Sequence, residues 1–365
     1  MNNGSPKVRV LVIDDSALMR KLIPKILSRD SEIEVVGTAM DGNFGLKKIE
    51  ELRPDVVTLD LEMPRMDGME TLRQLTRKHR LPVIVVSAHS VNGAAATFKA
   101  LSLGAFDFVP KPFDASQARM DGISEQLTAK VKAAAHFGIP HNRLSVPEDF
   151  RAQKPLQRPK QAPSKVVAIG ISTGGPNALQ YLLSQLPGNF FGAIVVVQHM
   201  PEGFTELFAR RLHECCAIDV KEARAGDVLL AGRALICPGN RHIRVKRMPM
   251  GDVVLLGDDE KVKGHRPSVN VLFHSLAHEF GANGVALLMT GMGEDGAEGL
   301  GEVKTAGGLT VAQDEHSCVV FGMPKAAIER GHAMRVVSLD ALANLLIRHC
   351  NPSKQIEQTE VELEV

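Results

Sequence analysis

Short apolar runs alternate with amphipathic stretches along most of the chain. Between Val8 and His136 the runs are "VRVLVI", "EVVGTA", "VVTLD", "VIVVSA" and "FDFV". Each is short, β-branched and almost continuously apolar, which suits strands buried on both faces of a parallel sheet. The stretches between them suit crossover helices, so residues 1–136 are expected to form one doubly wound α/β domain with five parallel strands. Pro24 breaks the first helical pattern, where its missing N–H predicts a kink.

The texture changes over residues 137–164, "FGIPHNRLSVPEDFRAQKPLQRPKQAPS", which are rich in Pro, Gln, Arg and Lys and lack periodicity. This segment reads as an extended interdomain linker. Alternation resumes over residues 165–350 with "KVVAIGI", "AIVVVQ", "ALICPG", "DVVLLG", "VALLMTG", "LTVAQD" and "MRVVSL". A second doubly wound, mostly parallel α/β domain follows, and its middle part from Val220 to Gly257 reads as short strands and a small antiparallel hairpin inserted into the sheet. "SVNVLFHSLAHEFG" is a clear amphipathic helix, with Ser268 as N-cap and Gly281 as stop. The tail over residues 351–365 is acidic and reads as disordered.

Composition narrows the function. Of 365 residues, 44% are hydrophobic and 23% charged, and the net charge is +1, which provides no global pull toward nucleic acid or anionic lipid. With no Trp and one Tyr, stacking on single strands has little to work with. The five cysteines are odd in number and form no C-x-x-C, which predicts free thiols in a reducing, cytoplasmic setting. No apolar run is long enough to span or insert into a membrane, and the N-terminus lacks a signal-peptide pattern.

Candidate chemistry gathers at strand ends. In the first domain Asp14 and Asp15 follow the first strand, Asp60 ends the third, Ser87 the fourth, and Lys111 follows the fifth. In a doubly wound sheet these carboxyl ends share one crevice. Clustered carboxylates repel unless a cation neutralises them, and an all-oxygen set favours Mg²⁺. Each aspartate alone could merely cap a helix. Together with a hydroxyl and an ammonium they describe a phosphoryl-transfer site with Asp60 as acceptor. "VLVIDDSALMR", "VVTLDLEMPRMDGME", "VIVVSAHS" and "GAFDFVPKP" resemble the receiver domain of two-component response regulators, over nearly all of residues 8–130. That resemblance implies a flavodoxin-like fold and phosphorylation of Asp60 by a sensor histidine kinase. It further implies Mg²⁺ held by Asp14, Asp15 and Asp60, Ser87 sensing the phosphoryl group, Lys111 pairing with it, and Phe108 at the switch-aromatic position.

In the second domain Gly170–Gly174 reads G-x-S-x-G. That pattern fits a nucleophilic serine on a strand-to-helix turn, a phosphate cradle at a helix N-terminus, or a plain tight turn. Ser172 follows "KVVAIGI", His199 follows "AIVVVQ", and Asp295 follows "VALLMTG" within "GMGEDG". Parallel strands would bring all three to one crevice as nucleophile, general base and imidazole-orienting carboxylate. The order Ser, His, Asp differs from the Ser, Asp/Glu, His of α/β-hydrolases, so the elbow pattern does not place the chain in that fold. Gly291 and Gly293 around Met292 free backbone N–H groups for an oxyanion. A receiver-gated phosphate- or nucleotide-binding module is the rival reading, weakened by the absence of a P-loop lysine. His274 and His278 have metal-like i, i+4 spacing but no third ligand, the basic run "RHIRVKR" reads as a solvated strand face, and Cys215–Cys216 reads as packing.

"IGISTGGPNAL", "QHMPEGFT", "HRPSVNVLFHS", "TGMGEDGAEGL" and "AQDEHSCVVFGMP" then resemble the CheB-type chemotaxis protein-glutamate methylesterases, from about Lys165 to Leu339. The resemblance implies a triad of Ser172, His199 and Asp295, with Thr173 and Met292 supporting the nucleophile and oxyanion. The esterase chemistry then needs no cofactor. The implied substrates are glutamate γ-methyl esters, and selected glutamines, on the cytoplasmic domains of chemoreceptors, with recruitment to membrane-bound receptor arrays. Phosphorylation of the receiver would activate the esterase. His265 and Arg266 match a motif of that family without a role assigned by their chemistry.

Overall fold

The computed structural model describes residues 6–63, 66–87, 91–111, 117–138 and 161–351. The chain divides into two compact units, Met1–Arg143 and Leu144–Val365. The acidic tail, most of the linker and the loop containing Pro112 lie outside the described residues.

The first unit is a five-stranded parallel sheet, in the order β2-β1-β3-β4-β5. Its strands are β1 (Val8–Ile13), β2 (Ile33–Ala39), β3 (Val56–Asp60), β4 (Val83–Ser87) and β5 (Asp107–Pro110). β3 and β4 are buried along their whole length, which explains their unbroken apolar sequence. Helices α1 (Met19–Leu27), α2 (Gly42–Leu52), α3 (Gly68–Gln74), α4 (Val91–Ser102) and α5 (Gln117–Phe137) connect and flank the strands. Pro24 lies within α1. The Asp41 carboxylate accepts from Phe44 N at 3.0 Å and the Asp67 carboxylate from Glu70 N at 2.7 Å, so both helix starts are capped. The chain leaves β1 for β2 on one side and returns to β3 on the other. The carboxyl ends of β1 and β3 therefore form the switch-point crevice.

The second unit is built on a seven-stranded parallel sheet, in the order β14-β13-β12-β6-β7-β9-β8. In chain order the strands are β6 (Val166–Ile171), β7 (Ala193–Gln198), β8 (Asp219–Glu222), β9 (Arg233–Ile236), β12 (Gly284–Leu288), β13 (Leu309–Gln313) and β14 (Arg335–Val337). β10 (His242–Lys246) and β11 (Val253–Gly257) form a separate antiparallel hairpin. The short strands and the small antiparallel hairpin expected from Val220 to Gly257 are both present. β8 and β9 extend the main sheet in parallel, and only β10 and β11 stand apart. β8, "DVKE", is an edge strand with a single buried residue.

Helices α6 (Gly175–Ser184), α7 (Phe204–Cys215), α8 (Val269–Phe280), α9 (Ala297–Thr305), α10 (Met323–Glu329) and α11 (Leu339–Cys350) complete the unit. α8 packs on α9, on the β10–β11 hairpin and on β6, and its Leu272, Phe273 and Leu276 are fully buried there. Gly281 ends α8 at φ +49°, as the sequence predicted. β6 runs to β7 on one side, and the chain later returns to β12 on the other, so the switch point lies between β6 and β12.

Candidate active site

The loops after β6, β7 and β12 build this site. Ile171 pairs with Gln198 in the β6–β7 register, so Ser172 and His199 are the next residues of adjacent strands. Main-chain bonds fix them: His199 N donates to Ile171 O at 3.1 Å and Ser172 N to Thr290 O at 3.0 Å. Gln198 Nε2 donates to Ser172 O at 3.0 Å. Gly174, at φ +74°, is the N-cap of α6 and turns the chain from strand to helix directly after Ser172 and Thr173.

Asp295 reaches His199 from the β12 side, with His199 Nε2 2.9 Å from Asp295 Oδ2. The same carboxylate sits on the N-terminus of α8. Oδ2 accepts from Val269 N at 2.7 Å, and Oδ1 accepts from Asn270 N at 3.2 Å and from Ser268 Oγ at 2.8 Å. Burial pushes the Asp295 carboxyl up, yet the His199 imidazole and these hydrogen bonds outweigh it and hold the group at about 2. The positive end of α8 favours the same charge. Because a carboxylate can only accept, Nε2 of His199 must be the protonated nitrogen. Nδ1 is then the basic nitrogen, and it is buried with no hydrogen-bond partner. This is the reverse of the chymotrypsin-type triad, where Nδ1 faces the carboxylate.

Ser268 occupies the N-cap of α8, as expected, but its hydroxyl does not cap the helix. It donates to Asp295, whose carboxylate does the capping instead. Sequence reasoning also missed His242, which is fully buried; its Nδ1 accepts from Ser268 N at 3.2 Å and its Nε2 pairs with Glu260 O at 3.0 Å. No local pattern links residues this far apart in the chain.

The oxyanion expectation is narrowed. Gly291 N donates to Val320 O at 3.0 Å, so it cannot serve an oxyanion. The N–H groups of Thr173, Met292 and Gly293 have no acceptor among the described residues. Gly291 matters for space, since a Cβ there would lie 2.3 Å from Met323 Sδ and 2.8 Å from Ser172 Cβ. Gly291→Ala is expected to cost about 1–3 kcal/mol of stability by overpacking, read from urea unfolding, and to displace Ser172.

The other candidates separate cleanly. His274 and His278 pair with Glu302 and Glu279 on an exposed face. Arg241 and Arg244 of the basic run pair with Asp258 and Asp259. No helix among the described residues is long and apolar enough to cross a membrane.

In the first unit, Asp14, Asp15 and Asp60 offer carboxylate oxygens that lie within 4.8 Å of one another. Asp14 and Asp60 are buried, whereas Asp15 is exposed. Lys111 Nζ lies 2.6 Å from Asp60 Oδ2 and 3.2 Å from Asp14 Oδ2. Burial pushes the Asp60 carboxyl up to about 6, although Lys111 pulls it down. Asp14 is raised for the same first reason, with Asp15 adding to it. Asp14 Oδ2 is buried and faces the Lys111 ammonium at 3.2 Å, outside hydrogen-bond geometry. An all-oxygen cluster of three carboxylates, two of them buried, fits a hard divalent cation such as Mg²⁺. Gly68 lets α3 close on this edge, since a Cβ there would lie 2.4 Å from Asp60 O. Ser87 Oγ donates to Gly93 O at 3.0 Å. Phe108 is buried edge-on to Phe98, and Lys130 Nζ lies 5.3 Å from its ring centroid.

Comparison with known proteins matches both parts of the chain. The CheB methylesterase family matches residues 167–346, and the response regulator receiver domain matches residues 10–120. A protein-glutamate methylesterase/protein-glutamine glutaminase of Koribacter versatilis is 63% identical over 346 residues, covering 93% of this chain and 95% of that protein. The chain belongs to the CheB methylesterase family. A relative of the same name from Pyrococcus abyssi is 44% identical over 343 residues, covering 94% of this chain and 93% of that one. Among solved structures, the Thermotoga maritima CheB methylesterase catalytic domain is 40% identical with a TM-score of 0.50, covering 51% of this chain and 98% of that one. As a CheB-family chain, this one is a hydrolase joined to a response-regulator receiver domain, and the parallel α/β architecture of both units is as the sequence predicted.

Proposed function

We propose that this chain is a phosphorylation-activated protein-glutamate methylesterase and glutamine deamidase acting on the cytoplasmic domains of chemoreceptors. Its receiver spans residues 1–136 and its catalytic domain residues 165–350, joined by the linker at 137–164. The observation that carries the esterase reading is the His199–Asp295 pair seated on the α8 N-terminus beside Ser172.

His199 Nδ1 takes the Ser172 proton as Oγ attacks the ester carbonyl of a methylated glutamate. The imidazolium that forms is stabilised by Asp295, and the oxyanion is met by the backbone N–H groups of Thr173 and Met292. The imidazolium then returns its proton to the leaving oxygen, and methanol departs. Water attacks the acyl-enzyme with His199 again as base, which frees the glutamate carboxylate. A glutamine side chain follows the same path with ammonia as leaving group. No step needs a cofactor.

In the receiver, a sensor histidine kinase would supply the phosphoryl group to Asp60. Mg²⁺ held by Asp14, Asp15 and Asp60 would neutralise the developing phosphoryl charge. Lys111 pairs with the phosphoryl oxygens, the Ser87 hydroxyl turns toward them, and Phe108 responds by changing its packing. The output is a population shift in favour of the active esterase at receptor arrays.

The test measures methanol release from a methylated receptor fragment with and without a small phosphodonor. The wild-type chain is expected to be stimulated and Asp60→Asn to lose all stimulation while keeping basal turnover. Stimulation that persists in Asp60→Asn would place the acceptor elsewhere.

A further inference from the structure

The ring of His265 lies flat on the ring of His199, with centroids 4.0 Å apart and planes 3° from parallel. His265 belongs to the loop between β11 and α8, and that loop is held on three sides. Val262 N donates to His265 O at 3.1 Å and His265 N to Val262 O at 2.9 Å, closing a tight turn over Lys263 and Gly264 at φ +49° and +84°. The Arg266 guanidinium donates to Asp258 O at 2.9 Å, to Asp259 O at 3.1 Å and to Asn240 Oδ1 at 2.8 Å. Lys263 Nζ reaches Glu294 and Glu298, each at 2.7 Å, which ties the loop to the segment carrying Asp295. Neither ring nitrogen of His265 has a hydrogen-bond partner among the described residues. The ring meets His199 through its face.

We propose that His265 is a positioning residue of the hydrolytic site, its stacked ring locking the His199 imidazole in the orientation that joins Nε2 to Asp295 and leaves Nδ1 as the base. This deepens the esterase reading and rests on it. Turning the His199 ring over about Cβ–Cγ would exchange Nε2 with Cε1 and Nδ1 with Cδ2. Asp295 would then face carbon, and the basic nitrogen would leave its place. That rotation sweeps through the space the His265 ring occupies, so the stack opposes it. A flat neutral ring also leaves room for the His199 imidazolium formed in turnover and attracts it through its π face. Burial, with His199 adding to it, pushes His265 down to about 4, which keeps it uncharged at neutral pH.

The test uses the full chain and three variants. Misplacing a catalytic group by about 1 Å can cost roughly 100-fold, so His265→Ala is expected to lower kcat for methanol release by about 10- to 100-fold. A positioning role predicts KM within about twofold of wild type. His265→Phe keeps a flat face and should restore most of the rate. His265→Leu fills the volume without one and should stay slow, so the Phe and Leu pair decides the matter even if the alanine variant does not fold. In ¹⁵N-histidine spectra the wild type and the Phe variant should show His199 as a single Nε2–H tautomer, and the Ala and Leu variants a mixture. Wild-type turnover in His265→Ala, or a Phe variant as slow as Leu, would overturn the proposal. His199→Ala separates the two readings: if it retains wild-type methanol release, the general-base reading falls. If it is dead while His265→Ala is unaffected, only the stacking proposal falls.

Discussion

Asp295→Asn is expected to lower kcat for methanol release by about 10⁴-fold, the scale of losing the tautomer-fixing carboxylate in a triad. Four donors converge on this group: His199 Nε2, Val269 N, Asn270 N and Ser268 Oγ. An amide offers one acceptor oxygen and an NH₂ in place of the second. If the oxygen takes the Oδ1 place and keeps Asn270 N and Ser268 Oγ, the NH₂ takes the Oδ2 place and turns toward His199 Nε2. Nε2 must then accept, the ring takes its proton on Nδ1, and the base that should serve Ser172 is blocked. The same substitution changes acid stability with a definite sign. Asp295 titrates at about 2 in the folded chain against 3.8 for the free side chain. Its stabilising contribution is thus complete above the unfolded value and fades as pH falls through about 2. Asp295→Asn should be less stable than wild type at neutral pH, with the gap closing in strong acid. Urea unfolding at several pH values reads this directly.

Ser172→Ala is expected to produce the largest loss, roughly 10⁶-fold in kcat, as when a triad nucleophile is removed. The fold should be unaffected. The structural bonds of residue 172 are made by its main chain, to Thr290 O, from Gly175 N and from Gln198 Nε2, and alanine keeps all of them. Unfolding free energy within about 0.5 kcal/mol of wild type would confirm that the lost rate is chemical rather than structural.

The strands that place these residues are legible in sequence where they are buried on both faces. "VVTLD", "VVAIGI" and "AIVVVQ" announce themselves by unbroken apolar character, and the polar residues after them must then meet at one sheet edge. The place of β8 in the main sheet was less legible, since an edge strand of charged residues buries too little to leave a pattern. Within the candidate site, residue types and strand ends pointed to Ser172, His199 and Asp295, but not to how they are held. Ser268 looked like an ordinary N-cap because capping is a local rule. Its hydroxyl instead serves a carboxylate 27 residues further along the chain. Gly170 and Gly296 make that contact possible by letting Val269 approach, since a Cβ on either would lie 2.2 Å and 2.6 Å from Val269 Cγ1. The His199 tautomer and the His265 stack likewise exist only once the loops have met, and no spacing in the chain encodes them.

The central claim is that Ser172, His199 and Asp295 act as one hydrolytic unit. Its most direct test is a double-mutant cycle on methanol release, with wild type, Ser172→Ala, Asp295→Asn and the double variant measured on the same methylated receptor fragment. Residues of one triad are strongly non-additive, so the double variant should be no slower than Ser172→Ala alone. A double variant slowed by the product of both single losses, or Ser172→Ala turning over at the wild-type rate, would contradict the account.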